Sequence, residues 1–413
     1  MNAQAIQVFE HQQLRIGGQA GGVLFREEHY QALARYYPRH EGRYYTLQPE
    51  GVRFTSYVGV LQVGPLAIEV LPKVSRGGGP QPEDWQRLLL DMLSACRFLK
   101  AEPLAAAGLQ LRPNALMERY LSMFFDEVES LLRQGLVKEY RRKEGELRAL
   151  KGRLLFQNLA RASHVHREKF PANYEQYTYG HLFNRIINGA LQALRHFPLG
   201  PGLEVRLRRL LHHFPETELP AAADLLRERL DFGRKTLRYQ TAVEVALLIQ
   251  RQFQPQLRAG SYPLFALMFD MNALFEEYVY RQLSALRLPG LRAVRQVTRP
   301  FWERHYLQPD IVVEYEGRRY VLDTKWKALQ RPSPSMADLR QMYVYARYFD
   351  APRAVLLYPQ ASGLADSAAT PFAADRVEEP LLSCQVVFVD VIRDGLLNRA
   401  LGLEILEKIG AAK

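Results

Sequence analysis

Residues 304–327 read RHYLQPDIVVEYEGRRYVLDTKWK and place two carboxylates and an amine where a sheet interior would take valine. Ile311 to Tyr315 and Arg319 to Trp326 are rich in β-branched and aromatic residues, which pack well on a pleated, half-buried surface. Glu316-Gly317 between them is short enough for a two-residue hairpin loop, although Glu-Gly is a weaker turn signal than Asn-Gly. With that loop Tyr315 faces Arg318, Val313 faces Tyr320, and the ladder continued outward sets Asp310 opposite Asp323. Alternation along a strand puts Asp323, Lys325 and Lys327 on one face. Opposed residues have Cβ atoms about 4.5–5.5 Å apart, and like charges there repel. A divalent cation between the carboxylates would remove that penalty. An odd-length turn or a bulge would break the register.

The rest of the chain sets bounds on this reading. A length of 413 residues suits two or three domains. An apolar content of 47% is ample for real cores, and the net charge of +11 points to a polyanionic partner. Cys96 and Cys384 make neither a disulfide framework nor a zinc spacing, which fits a reducing cytoplasm. The opening residues MNAQAIQVFEHQQ resemble neither a signal nor a transit peptide. No apolar run approaches the roughly 18 residues a membrane span needs, so no membrane partner is expected. There is no GxxxxGK[S/T], so nucleotide hydrolysis through a phosphate-cradling loop is excluded.

The composition divides the chain into three regions and predicts a multidomain α+β protein. Residues 1–76 form a β-rich amino-terminal domain, with strand-like runs such as AIQVFE, RYYTLQ, VRFTSYVGVLQVG and LAIEVLPKV and a turn at Gly64-Pro65. SRGGGPQP at 75–82 reads as a linker. Residues 83–260 are mainly helical, with apolar positions three and four apart in EDWQRLLLDMLSACRFLK, LMERYLSMFFDEVESLLRQG and HLFNRIINGALQALRHF. Between these helices LVKEYRRKEGELRALKGRLLF reads as a basic hairpin turning at Glu144-Gly145. It is either a solvated face of mixed charge or a contact for nucleic acid or a protein partner. His164 and His166 are half a metal site without a third ligand at a recognisable spacing.

Residues 261–413 alternate between strand and helix and predict an α/β domain around a mixed sheet. A helix begins at Asp270 as N-cap, the hairpin of 311–326 follows, and a crossover helix runs through MADLRQMYVYARYF. Strands RAVLLYP and QVVFVDV and a closing helix near DGLLNRALGLEILEKI complete it.

Phosphodiester cleavage commonly uses a carboxylate-bound divalent metal that polarises the phosphoryl oxygen and activates water. Mg²⁺ prefers oxygen ligands and usually takes one or two carboxylates, leaving water and substrate to fill its shell. Asp310 and Asp323 offer that set, and Lys325 can stabilise developing phosphoryl charge or orient the attacking water. A third carboxylate can come from the preceding helix. Glu277 stands four residues before Arg281, the spacing of a structural ion pair, so Glu276 is the better candidate. Gln341 and Tyr345, four apart on the crossover helix, either lean over the site or merely pack a helix face.

Pro309-Asp310 followed by Asp323-Thr324-Lys325 resembles the PD-(D/E)xK nuclease signature, and its order of elements matches a restriction-endonuclease-like core. More of the chain resembles one family. VGVLQVGPLAIEVLPKV, KGRLLFQNLAR, YTYGHLFNRIINGALQAL, DMNALFEEYVYRQL and PDIVVEYEGRRYVLDTKWK follow one another as in the McrC family, nuclease subunits of McrBC modified-cytosine restriction systems. The resemblance implies a DNA endonuclease dependent on Mg²⁺ or Mn²⁺ that acts on double-stranded DNA. It implies a separate McrB-like AAA+ GTPase hexamer as motor, engaged and stimulated by the amino-terminal part. Carried over by position, Asp310, Asp323 and Lys325 are the catalytic set, with Glu276 as a further metal ligand and Gln341 and Tyr345 as auxiliary residues; Thr324 carries no assigned role. Two other readings compete: a stand-alone nuclease of the same fold acting in DNA repair or on RNA, and a non-catalytic regulator of an AAA+ ring.

Overall fold

A computed structural model of the chain describes residues 4–20, 23–63, 66–72, 82–96, 115–148, 152–155, 170–197, 199–221, 224, 230–254, 264–327, 329, 331, 333–360, 363–373, 381–393 and 395–411. The turn at Gly64-Pro65, nearly all of the 75–82 linker, and His164 and His166 lie outside these residues. The described part is a mixed α/β structure with several sheets, and no helix in it is long and apolar enough to cross a membrane. It divides into two compact units, residues 1–116 with 268–413, and residues 117–267. The regions expected at 1–76 and 261–413 thus contribute to the same unit.

The first unit holds two main sheets. One is built from β1 (Gln4–Phe9), β2 (Tyr57–Val63) and β3 (Leu66–Leu71), with β3 parallel to β1 and antiparallel to β2. Its strands are buried almost throughout, as a sheet covered on both faces requires. Within the β-rich region the structure also has a helix, α1 (Glu27–His40), which the sequence reading did not anticipate. Its inward positions Leu33 and Tyr36 are helically spaced, and Pro38 sits in the last turn. Helix α2 (Pro82–Ala95) follows.

The chain re-enters this unit at the end of β4 (Leu264–Asp270), and Asp270 caps α3 (Met271–Ala285) by accepting from the Asn272 N–H, as expected. The second sheet then forms from β5 (Arg292–Arg295), β8 (Ile311–Tyr315), β9 (Arg318–Thr324), β10 (Arg353–Pro359) and β11 (Ser383–Val389). Between β5 and β8 the chain makes a separate two-stranded ribbon, β6 (Arg299–Trp302) and β7 (His305–Leu307). The sheet is mixed: β5–β8–β9 is antiparallel, while β9, β10 and β11 run parallel. Helix α4 (Met336–Tyr348) makes the crossover from β9 to β10, with Ser335 and Asp338 forming a capping box at its start.

The β8–β9 hairpin has the predicted register. Tyr315 pairs with Arg318, Val313 with Tyr320, and Ile311 with Leu322. Glu316 and Gly317 both have positive φ, 49° and 75°, so the backbone makes the tight primed turn that matches strand twist despite a glutamate in its first position. Alternation then sorts the side chains: Val312 and Val321 enter one core with Met342 and Tyr345 of α4, with Phe349 just past its end, and with Leu356 and Phe388. The closing helix α5 (Leu401–Lys408) is shorter than the sequence suggested, because Ile392–Arg393 and Leu396–Leu397 form a small hairpin first. It lies close against α3, for a Cβ at Gly402 would come within 2.5 Å of the Gln282 carbonyl oxygen.

The second unit packs helices Ala115–Gln134, Leu182–Leu194, Pro201–His213 and Gln240–Gln252 around Phe124, Val128, Ile186, Leu191, Val243 and Ala246. The turn expected at Glu144-Gly145 is corrected here. Glu139–Leu147 is one continuous strand that pairs antiparallel with Phe170–Thr178, and Gly145 faces Ala172 in mid-ladder. Two tyrosines, Tyr140 and Tyr177, meet across this ladder with ring centroids 4.7 Å apart, a cross-strand pair that a local turn would have separated. Part of the basic charge is already neutralised, since Arg141 meets Glu139 and Glu218 and Arg142 lies 3.7 Å from Glu175.

Candidate active site

The site residues come from four consecutive places in the first unit: α3, the entry to β8, the end of β9, and α4. Asp310 lies just before β8, one step beyond the last ladder pair, Ile311 with Leu322. Its carboxylate reaches across the strand gap. Oδ2 accepts from the Thr324 backbone N–H at 2.7 Å and from the Thr324 hydroxyl at 2.9 Å. Thr324, to which the sequence reading gave no role, is therefore the residue that fixes Asp310 beside the end of β9.

Asp323 points to the α4 side of the sheet, two residues on from Val321. It is almost wholly buried, 1% exposed. Lys325 Nζ stands 2.7 Å from Asp323 Oδ2 as an ion pair. Burial, and then repulsion from Asp310, push the Asp323 carboxyl up to about 6, with Lys325 pulling the other way. For Lys325 burial opposes the charge, but Asp323, Asp310 and Asp338 outweigh it and hold the ammonium above its ordinary range. The lysine is thus a permanent cation beside a carboxylate that is tuned toward neutrality.

Gln341 and Tyr345 do lean into this place. Gln341 Nε2 donates to Asp323 Oδ1 at 3.3 Å and to the Tyr345 hydroxyl at 3.0 Å, while Gln341 Oε1 accepts from Lys325 Nζ at 3.5 Å. Tyr345 in turn donates to the Gln308 carbonyl at 3.0 Å, two residues before Asp310. The helix face therefore forms a closed polar chain from one aspartate's strand to the other's.

Glu276 and Glu277 separate as their sequence contexts suggested. Glu277 is buried and bound by both Arg281 and Arg295. Glu276 accepts from Gln296 Nε2 at 3.2 Å and is raised to about 7, first by burial and then by Asp310, with Gln296 and Arg295 opposing. Gln296 was not foreseen as a site residue. Its backbone N–H binds the Asp310 carbonyl at 2.9 Å while its side chain holds Glu276, so it ties the two acids to one loop.

Lys327 also reaches α4, as the shared face predicts, but past the end of β9 at Thr324 its Nζ pairs with Asp338 at 2.9 Å rather than with Asp323. Trp326, between the two lysines, turns inward. Its indole N–H donates to the buried Glu10 at 2.9 Å, and its ring meets Phe275, the neighbour of Glu276, edge-on at 5.3 Å.

The fit of a cation can be judged from the donors. Among the described residues no three His, Cys, Asp or Glu side chains lie together as a ready metal cluster. The chemistry of the pair is nonetheless that of a hard-cation site, since a magnesium site needs only one or two carboxylates. The repulsion that Asp310 exerts on both Asp323 and Glu276 is what a bound cation would relieve.

Residues 52–359 match the family model of the McrBC 5-methylcytosine restriction system component. No curated protein matches the chain. Two solved structures share the fold. One is a chain of the refined half-complex from the tetradecameric assembly of Thermococcus gammatolerans McrB AAA+ hexamers with bound McrC. It has a TM-score of 0.65 and 21% identity over 98% of this chain and 100% of that one. The other is a chain of the Thermococcus gammatolerans McrBC complex, with a TM-score of 0.50 and 20% identity over 68% of this chain and 88% of that one.

Proposed function

This chain belongs to the McrBC 5-methylcytosine restriction system component family, and we propose that it is the nuclease subunit of such a system, an McrC. In this reading it cleaves phosphodiesters of double-stranded DNA with Mg²⁺ or Mn²⁺ on a restriction-endonuclease-like domain. The observation that carries the proposal is the Asp323–Lys325 ion pair at 2.7 Å beside an Asp310 clamped on Thr324. A structural salt bridge alone does not call for a second acid pressed against the first, nor for a third, Glu276, raised by both.

Asp310 and Asp323 would hold the cation, with Glu276 within electrostatic reach. When bound it supplies polarisation of the phosphoryl oxygen and a more acidic water. The chain's own residues do the rest. Lys325, charged throughout the neutral range, donates to phosphoryl oxygens as charge accumulates there. Gln341 keeps Lys325 and Asp323 at fixed separation, and Tyr345 fixes Gln341. Thr324 and Gln296 hold Asp310 and Glu276 so that little reorganisation is needed during reaction.

The motor is a separate McrB-like AAA+ GTPase hexamer, in keeping with structural relatives described as McrB AAA+ hexamers with bound McrC. Residues 1–76 are its proposed docking region, residues 83–260 a mainly helical middle region, and residues 261–413 the nuclease domain. The test is to mix the purified chain with its cognate AAA+ protein and measure GTP turnover and DNA cutting together. Lys325→Ala should abolish cutting, and leave GTPase stimulation at the wild-type level; excess chelator should also abolish cutting. A variant that cuts at the wild-type rate would remove Lys325 from the chemistry. Cutting by the chain without partner or nucleotide would favour a stand-alone nuclease.

A further inference from the structure

The β6–β7 ribbon has no counterpart in the site chemistry, yet it is joined to it. It pairs with no other strand among the described residues, and Phe301 through Tyr306 are all exposed. Three of those side chains are large aromatics, with Phe301 48%, Trp302 62% and Tyr306 61% exposed. Exposed aromatics at one tip are unfavourable in water and are retained where a partner covers them.

The ribbon is held firmly at its base. Arg299 donates to the Tyr348 carbonyl and pairs with Asp350, and its guanidinium lies 5.0 Å from the centre of the Phe349 ring. Phe301 meets Tyr348 edge-on at 5.4 Å. These anchors sit at the end of α4, the helix that carries Gln341 and Tyr345. At the other end the ribbon leads through Gln308, held by Tyr345, to Asp310. Two residues, Gln308 and Pro309, separate Leu307 from Asp310, a span of about 10 Å at most. The base of the ribbon is thus anchored beside the carboxylates, and the ribbon projects from there.

We propose that the β6–β7 ribbon enters a groove of duplex DNA beside the scissile phosphate and stacks or wedges Trp302 and Tyr306 against it. A two-stranded ribbon fits a DNA groove, and a bulky side chain there can wedge against a base step with little regard to sequence. Residues 291–307 contain four arginines, 292, 295, 299 and 304, against one acid, Glu303. Arg295 is paired with Glu277 and Arg299 with Asp350, so the aromatic side chains carry more of the case than the charge. This inference rests on the nuclease reading for its substrate, and adds the surface that grips it.

The test uses tryptophan emission from the full-length chain. Of the three tryptophans, Trp85 and Trp326 are each 5% exposed, so iodide quenching reports Trp302. A short duplex at low ionic strength, with Ca²⁺ in place of Mg²⁺, should protect that emission in the wild type and in Lys325→Ala alike. Trp302→Ala with Tyr306→Ala, at two exposed sites, should weaken duplex binding about tenfold or more and slow cutting with the unfolding midpoint unchanged. If saturating duplex leaves Trp302 fully quenchable, or the double variant binds and cuts as wild type, the proposal is overturned. It is equally overturned if the double variant binds DNA normally but changes the mass of the chain in solution, which would assign the ribbon to self-association. Cutting with Trp302 still quenchable would defeat the ribbon and spare the nuclease; protection of Trp302 in Mg²⁺ without cutting, even with the motor present, would do the reverse.

Discussion

Replacing Glu276 by glutamine should stabilise the cation-free protein, and only where the native carboxylate is ionised. The Glu276 carboxyl lies at about 7 against an ordinary 4.5, through burial first and repulsion by Asp310 second. The folded chain therefore binds this proton more tightly than the unfolded chain does. That contribution favours folding below the unfolded value, and is lost as pH rises through the folded one. A difference of this size corresponds to roughly 3 kcal/mol once both states are ionised, at about 1.36 kcal/mol per factor of ten in proton affinity. The side chain is partly exposed, and screening by water reduces the figure to about 1–2 kcal/mol. All three tryptophans lie in the first unit, so urea unfolding followed by their emission reports that unit without the second. In chelator, the stability gap between Glu276→Gln and wild type should widen by about 1–2 kcal/mol between roughly pH 5 and pH 8. Added Mg²⁺ should then stabilise wild type more than the variant, because it binds the folded acids. A gap that is the same at both pH values, or a variant less stable at the higher one, would refute the claim that burial and Asp310 together raise this carboxyl.

Thr324→Val removes the hydroxyl bond to Asp310 and keeps the backbone one, so cutting should fall about tenfold with a raised Mg²⁺ requirement, read from a metal titration of the cleavage rate. An unchanged titration would reduce Thr324 to packing. Glu10→Ala strands the buried Trp326 indole N–H and should cost the first unit about 1–3 kcal/mol in urea, with Glu10→Gln costing less because it retains an acceptor. Equal losses for the two would mean the hydrogen bond is not the cause.

The sequence was most informative where one local rule fixed the geometry. A two-residue loop and alternation were enough to pair Val313 with Tyr320 and to turn Asp323 toward α4. Helix spacing was enough to assign Glu277 to Arg281. The failures came from partners far along the chain. Glu144-Gly145 looked like a turn because the real partner strand, Phe170–Thr178, begins more than twenty residues later. Thr324 had no visible role because its partner lies on the neighbouring strand, fourteen residues back. Lys327 keeps to the α4 side, yet its partner there, Asp338, could not be read locally, because it lies on the helix eleven residues on. Helix α1 was obscured by Pro38, which lies inside it, where proline argues against a helix.

The bond between Glu10 and Trp326 joins residues 316 positions apart. The indole that closes this bond is synthesised 316 residues after the carboxylate that accepts it, so no nascent chain lacking Trp326 can make the contact, and the first strand must wait for the segment that carries the proposed site.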